Sequence, residues 1–210
     1  MAYILSRSVQ GSGLFVRLAY WLARRRMGRV PAPVGVMAHH PGVLAAAAAF
    51  ELSFERARDV DVRLKELAMV KAASLVGCRF CIDLGGALAQ GHGLPQAKLL
   101  ALPSYETSPI FTPLEHRVLD FTVQMTETPS RPDPELFCQL QADLGVRGVV
   151  ELTAAIAWEN FRARFNHAIG AREEGYSEGM VCLLPAPAAE VPARAGWPTA
   201  PPPSESLGAG

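Results

Sequence analysis

The chain has 210 residues, half of them hydrophobic and 19% charged, with 20 basic residues balancing 20 acidic ones. Such a composition belongs to a soluble globular protein with a sizeable core rather than to a disordered chain. Zero net charge provides no global field to attract nucleic acid, and none is expected as a partner.

The charge is unevenly spread, since residues 1–50 hold six arginines and no acid. A helix packed on its own domain or on a partner subunit accounts for this. An organelle transit peptide or a helix lying on an anionic surface are the alternatives. The arginines follow "LFVRLAYWLA" instead of preceding it, the wrong order for a secretory signal, and "VLAAAAAF" is too short to span a bilayer. A reducing cytoplasm is therefore the expected compartment, without membrane contact. In that compartment a close cysteine pair points to catalysis or metal binding more than to a structural staple.

Leu14, Leu18, Trp21 and Leu22 recur at helical steps and predict an amphipathic helix ending near Gly28. "RVPAPVGVMAHHPG" reads as a proline-rich connection, with His39 and His40 capping or lining the helix that Pro41 opens. Asp61 is placed to cap "VRLKELAMVKAASLV", which Gly77 ends. A helix with Cys78 in its first turn follows and stops around "GHGLP". After a proline-bearing loop, Thr112 and Pro113 open another helix; "DPELFCQLQADLG" is a short one, and "VRGVVELTAAIAWENFRARFNHAIGA" the longest. No run of alternating β-branched residues appears. Residues 184–210 hold seven of the 17 prolines and read as a disordered tail. The expected fold is one all-α domain over residues 11–182, plus that tail.

The chemistry-bearing stretch is "GCRFCIDLGGALAQGHG", residues 77–93. Cys78 and Cys81 stand at i and i+3, one helical turn apart on one face. Thiolates near a helix start are stabilised by free backbone N–H groups and the positive dipole end. Three readings compete: a redox pair, half of a zinc site, or two small buried thiols. Zinc needs a second ligand pair, and Cys138, Cys182, His116 and His167 are isolated, so no metal is expected. Twelve residues upstream, Glu66 shares a face of small residues with Val70, Ala73 and Gly77. It is either a solvated or ion-paired residue, with Arg63, Lys65 or Lys71, or a carboxylate that meets the start of the next helix.

Glu66, eleven residues and then Cys78-x-x-Cys81, in a helical domain with a proline-rich lead, resembles the alkyl hydroperoxidase D-like (AhpD-like) branch of the carboxymuconolactone decarboxylase superfamily. "VMAHHPGVL" upstream and "VVELTAAIAWENFRARFNHAIG" downstream extend the resemblance over most of residues 28–172. It implies an all-helical homo-oligomer, a dimer, trimer or hexamer, that reduces organic hydroperoxides without a cofactor. Cys81 would attack the peroxide as a thiolate and Cys78 would resolve the sulfenic acid to a disulfide, which an external dithiol reduces. Glu66 would relay the proton. A non-redox enzyme of the same superfamily acting on a small carbonyl or lactone compound, and an inactive binding or assembly protein of the same fold, are the alternatives.

The family places a histidine four residues after the second cysteine, and this chain has Gly85 there. Arg79 is a candidate to support the thiolate in its absence. His92 reaches the site only by folding back from the helix end, and Asn160 with His167, seven residues apart on the last long helix, are candidates to line the same pocket. Asp83, two positions from Cys81, faces the other side and reads as a capping or ion-pairing residue.

Overall fold

The computed structural model describes residues 3–177. The tail expected at 184–210, the domain end expected at 182 and Cys182 lie outside the described residues. Among the described residues there are only helices and their connections: α1 (Leu14–Met27), α2 (Ala32–Met37), α3 (Pro41–Phe54), α4 (Val62–Val76), α5 (Arg79–Gly91), α6 (Gln96–Ala101), a 3₁₀ turn (Leu102–Thr107), α7 (Pro113–Thr126) and α8 (Pro134–Ala168). None of these helices is long and apolar enough to cross a membrane.

The helix starts follow local chemistry. His40 caps α3 by accepting the Val43 N–H at its Nδ1, and Asp61 caps α4 through the Arg63 N–H. Thr112 and Glu115 form a reciprocal capping box at α7. Gly28 and Gly77 end α1 and α4 in the left-handed conformation that glycine adopts without strain. Two short segments escape the sequence reading: α2 in the proline-rich connection, and α6 with its 3₁₀ turn after "GHGLP". Six residues are too few for a periodicity to show. The two C-terminal helices expected from the sequence run end to end as α8, broken at Gly145 by φ 70° and ψ 172°.

α4 is the centre of the molecule, packed against α5, α7 and α8. Leu67, Ala68 and Ala72 on α4 and Leu152 and Ile156 on α8 are fully buried. Each such leucine or isoleucine contributes about 1.5–3 kcal/mol by leaving water. An enclosed helix cannot leave its polar groups in solvent, so each needs a partner. Lys65 pairs with Glu151 of α8 and donates to Ala57 O. Lys71 donates to Leu102 O and lies 4.3 Å from the Tyr105 ring centre. Arg63 is engaged with Asp61. None of these three cations pairs with Glu66, which finds its partner elsewhere.

Residues 173–177 strap across the start of α5. Asp83 is 2% exposed and accepts the backbone N–H groups of Glu174, Tyr176 and Ser177 at 2.7–3.1 Å. Burial pushes its carboxyl up, but these hydrogen bonds outweigh that and hold it below its ordinary value. Asp83 thus faces away from Cys81 as expected, yet neither caps a helix nor forms an ion pair. Arg79 is committed to Glu173 by two 2.9 Å bonds, and so does not support the thiolate.

Candidate active site

The chain turns sharply from α4 into α5. Gly77 N–H donates to Ser74 O and Cys78 N–H to Ala73 O, closing the end of α4. The next residue, Cys78, is the N-cap of α5 rather than a member of its first turn, and its Sγ accepts the Cys81 N–H at 3.2 Å. Cys78 and Cys81, with Cα atoms 5.3 Å apart, are joined as a disulfide. Both are buried, at 2% and 9% exposure, so the second cysteine is the more accessible.

Glu66 is also buried, at 6% exposure. Its Oε1 lies 3.1 Å from His92 Nδ1. His92 therefore does fold back, from the C-cap of α5, and 44% of its side chain remains exposed. The pair joins a buried carboxyl to a solvent-facing imidazole. Burial raises the Glu66 pKa above its ordinary value, while His92 and Arg162 oppose that rise. Cys81, Gly85 and His92 stand at i, i+4 and i+11 and so share a stripe of α5. A Cβ at Gly85 would lie 3.3 Å from Val70, one turn along α4 from Glu66. Position 85 therefore faces the same α4 stripe that Glu66 occupies.

The third wall comes from α8, turned one residue from the expected face. Asn160 bonds Thr126 and Ile156 O, and His167 is exposed, so neither lines the site. Their N-terminal neighbours do the packing: Glu159 and Asn166 are 3% and 4% exposed. Asn166 Nδ2 donates to Cys81 Sγ at 3.3 Å. Arg162, between them, bonds Glu159, Glu51 at 2.9 Å and Met69 Sδ at 3.4 Å. Glu51 also accepts from Trp158 Nε1. The sequence signal for this wall was the polar set Glu159, Arg162 and Asn166 at i, i+3 and i+7, inside an otherwise apolar stripe.

Burial pushes the Glu159 carboxyl from 4.5 up to about 7, despite Arg162 beside it. A carboxyl with a raised pKa binds its proton more tightly in the folded chain. The stability this contributes is full below about pH 4.5 and is lost as pH rises to about 7. Glu66, shifted the same way, adds to the slope. Glu159→Gln is expected to flatten the dependence of urea midpoints on pH across that window; an unchanged slope would contradict the assignment.

Two cavities, of about 470 and 300 Å³, are lined by residues that include Tyr105, Arg117 and Asp120, and Val76, Thr126 and Arg164. Neither is lined by Cys81 or Glu66.

No family model matches this chain. The uncharacterized protein YnjA of Escherichia coli (strain K12) is 29% identical over 173 residues, covering 82% of this chain and 92% of that protein. Among solved structures, the debrominase Bmp8 in its apo form superimposes with a TM-score of 0.74 at 18% identity, covering 86% of this chain and 97% of that one. The alkylhydroperoxidase AhpD core of a peroxidase-related protein from Ralstonia eutropha JMP134 also gives 0.74, at 16% identity, covering 87% and 95%.

Proposed function

The chain has the all-α AhpD-like fold, and from that premise we propose that it is a thiol-dependent peroxidase of the AhpD-like branch of the carboxymuconolactone decarboxylase superfamily, reducing organic hydroperoxides. The supporting observation is the Cys78–Cys81 disulfide at the start of α5, together with the Glu66–His92 pair that ties α4 to the end of the same helix. In this reading Cys81 is the nucleophile, since it is the more exposed cysteine and the one whose sulfur a side chain of α8 contacts. Cys78 resolves the sulfenic acid, an external dithiol restores the pair, and the protein works in a cytoplasmic, reducing setting.

His92 takes the role left open at Gly85. Glu66 removes the thiol proton, and His92 exchanges protons between Glu66 and solvent. The test is steady-state consumption of cumene hydroperoxide by the reduced protein with dithiothreitol as donor. Turnover that saturates with protein-bound thiol supports the reading, and consumption no faster than dithiothreitol alone refutes it.

The protein acts as a homo-oligomer in this reading. Leu14, Leu18 and Trp21 line one side of α1 at 82%, 58% and 55% exposure, an apolar surface of the kind a second copy covers. Sedimentation at micromolar concentration is expected to give a species larger than one chain. A monomer at that concentration would contradict it.

A further inference from the structure

The Cys81 sulfur has one side-chain donor, Asn166 Nδ2 at 3.3 Å, among the described residues. Asn166 is 4% exposed, and its Oδ1 is buried without a hydrogen-bond partner. Turning the carboxamide over would set its oxygen against the sulfur lone pairs, so the donor end belongs on the sulfur. A buried carbonyl oxygen without a donor is unfavourable, and in a folded protein it calls for a reason, a catalytic role or a bound molecule among them. The two ends of a planar carboxamide lie side by side. A group that bonds Oδ1 therefore sits next to whatever Nδ2 holds.

We infer that Asn166 brackets the reacting atoms: its N–H holds the Cys81 thiolate, and its free oxygen accepts the O–H of the hydroperoxide. The substrate half of this inference rests on the peroxidase reading. The oxygen that carries the hydrogen is the one the thiolate attacks, so Asn166 presents that atom to the sulfur. An S–O bond forms and the O–O bond breaks; the sulfur gives up two electrons, and the alkoxide leaves with a proton returned through Glu66. The Cys78 thiol then displaces hydroxide from the sulfenic acid, giving the disulfide and water, and an external dithiol returns two electrons and two protons.

Apart from Glu66, which faces His92 and carries the proton, the charged groups of the helices packed around this sulfur are committed elsewhere: Arg79 bonds Glu173, Asp83 holds the 174–177 backbone, and Arg162 bonds Glu51 and Glu159. Asn166 is the neutral donor that touches the sulfur.

The test uses the full chain with Cys78→Ser, Cys138→Ser and Cys182→Ser, which leaves Cys81 as the one thiol. The pH profile of iodoacetamide alkylation gives its pKa, and the rate constants of the full thiolate are taken with iodoacetamide and with cumene hydroperoxide. Iodoacetamide has no hydroperoxyl O–H to present. Asn166→Leu is expected to raise the Cys81 pKa by about 1 unit. It is also expected to lower the ratio of hydroperoxide to iodoacetamide rates by about 10-fold. Asn166→Asp has the same shape and keeps an oxygen. It is expected to raise the pKa further, because a carboxylate faces the thiolate, while losing less of that ratio than Asn166→Leu. An unchanged pKa in Asn166→Leu overturns the sulfur half, and an unchanged ratio overturns the substrate half. A parent thiolate that alkylates but ignores hydroperoxide overturns the peroxidase reading and the substrate half together; the alkylation pKa still decides the sulfur half.

Discussion

Cys81→Ser is expected to abolish hydroperoxide reduction, lowering the rate by at least about 10³-fold. A serine hydroxyl does not ionise near neutral pH and cannot accept an oxygen atom as a thiolate does. It occupies nearly the same volume, so the fold around Leu67 and Phe80 persists and unchanged circular dichroism serves as the control. Cys78→Ser is expected to behave differently. Its Cys81 still attacks, giving one equivalent of alcohol per chain and a sulfenic acid, and then stops until a thiol from solution arrives. If Cys78→Ser loses the first equivalent while Cys81→Ser keeps it, the two cysteines have been assigned in reverse. Parent-like turnover in both variants removes the pair from the chemistry altogether.

Glu66→Gln is expected to cost on the order of 10²–10³ in hydroperoxide rate, the usual consequence of losing a general base. The pH profile carries the sharper signature. A base works when deprotonated, and burial holds Glu66 above its ordinary pKa, so activity should rise with pH through a value above the usual carboxylate range. Glu66→Gln removes that step and leaves the thiol ionisation alone. His92→Gln is expected to lower the rate similarly, by severing Glu66 from solvent. Gly85→His in the His92→Gln background should recover at least about 10-fold, because position 85 lies between Cys81 and His92 on their shared stripe of α5. Its Cβ comes within 3.3 Å of a Val70 methyl, so that side chain must give by a few tenths of an ångström. A pH profile identical to the parent's in Glu66→Gln contradicts the relay. No recovery from Gly85→His means that His92 serves the site in another way.

Most of the helices were legible because their signals are local. Gly28, Gly77, His40, Asp61 and the Thr112–Pro113 start act within four residues of themselves, and they lie where the backbone turns. The rest of the candidate site depended on two longer-range quantities. The first is the rotation of α8. A seven-residue spacing suits Asn160 with His167 as well as Glu159 with Asn166, and only packing against α4 and α5 selects the second set. The second is the path of the chain after Gly91, which decides whether His92 meets Glu66 or solvent. From spacing alone, Glu66 was legible as a carboxylate on a face of small residues, and its relay role came only with the resemblance. The three nearby cations that its sequence offered are taken by Asp61, Glu151 and Leu102 O.

A single turnover decides the central proposal. Fully reduced protein is mixed with a slight excess of cumene hydroperoxide without any donor, and the alcohol formed is compared with the intact mass of the chain. One alcohol per chain, with the loss of two hydrogens mapped to a Cys78–Cys81 peptide, is the predicted result. Untouched hydroperoxide and two free thiols after many minutes would contradict it.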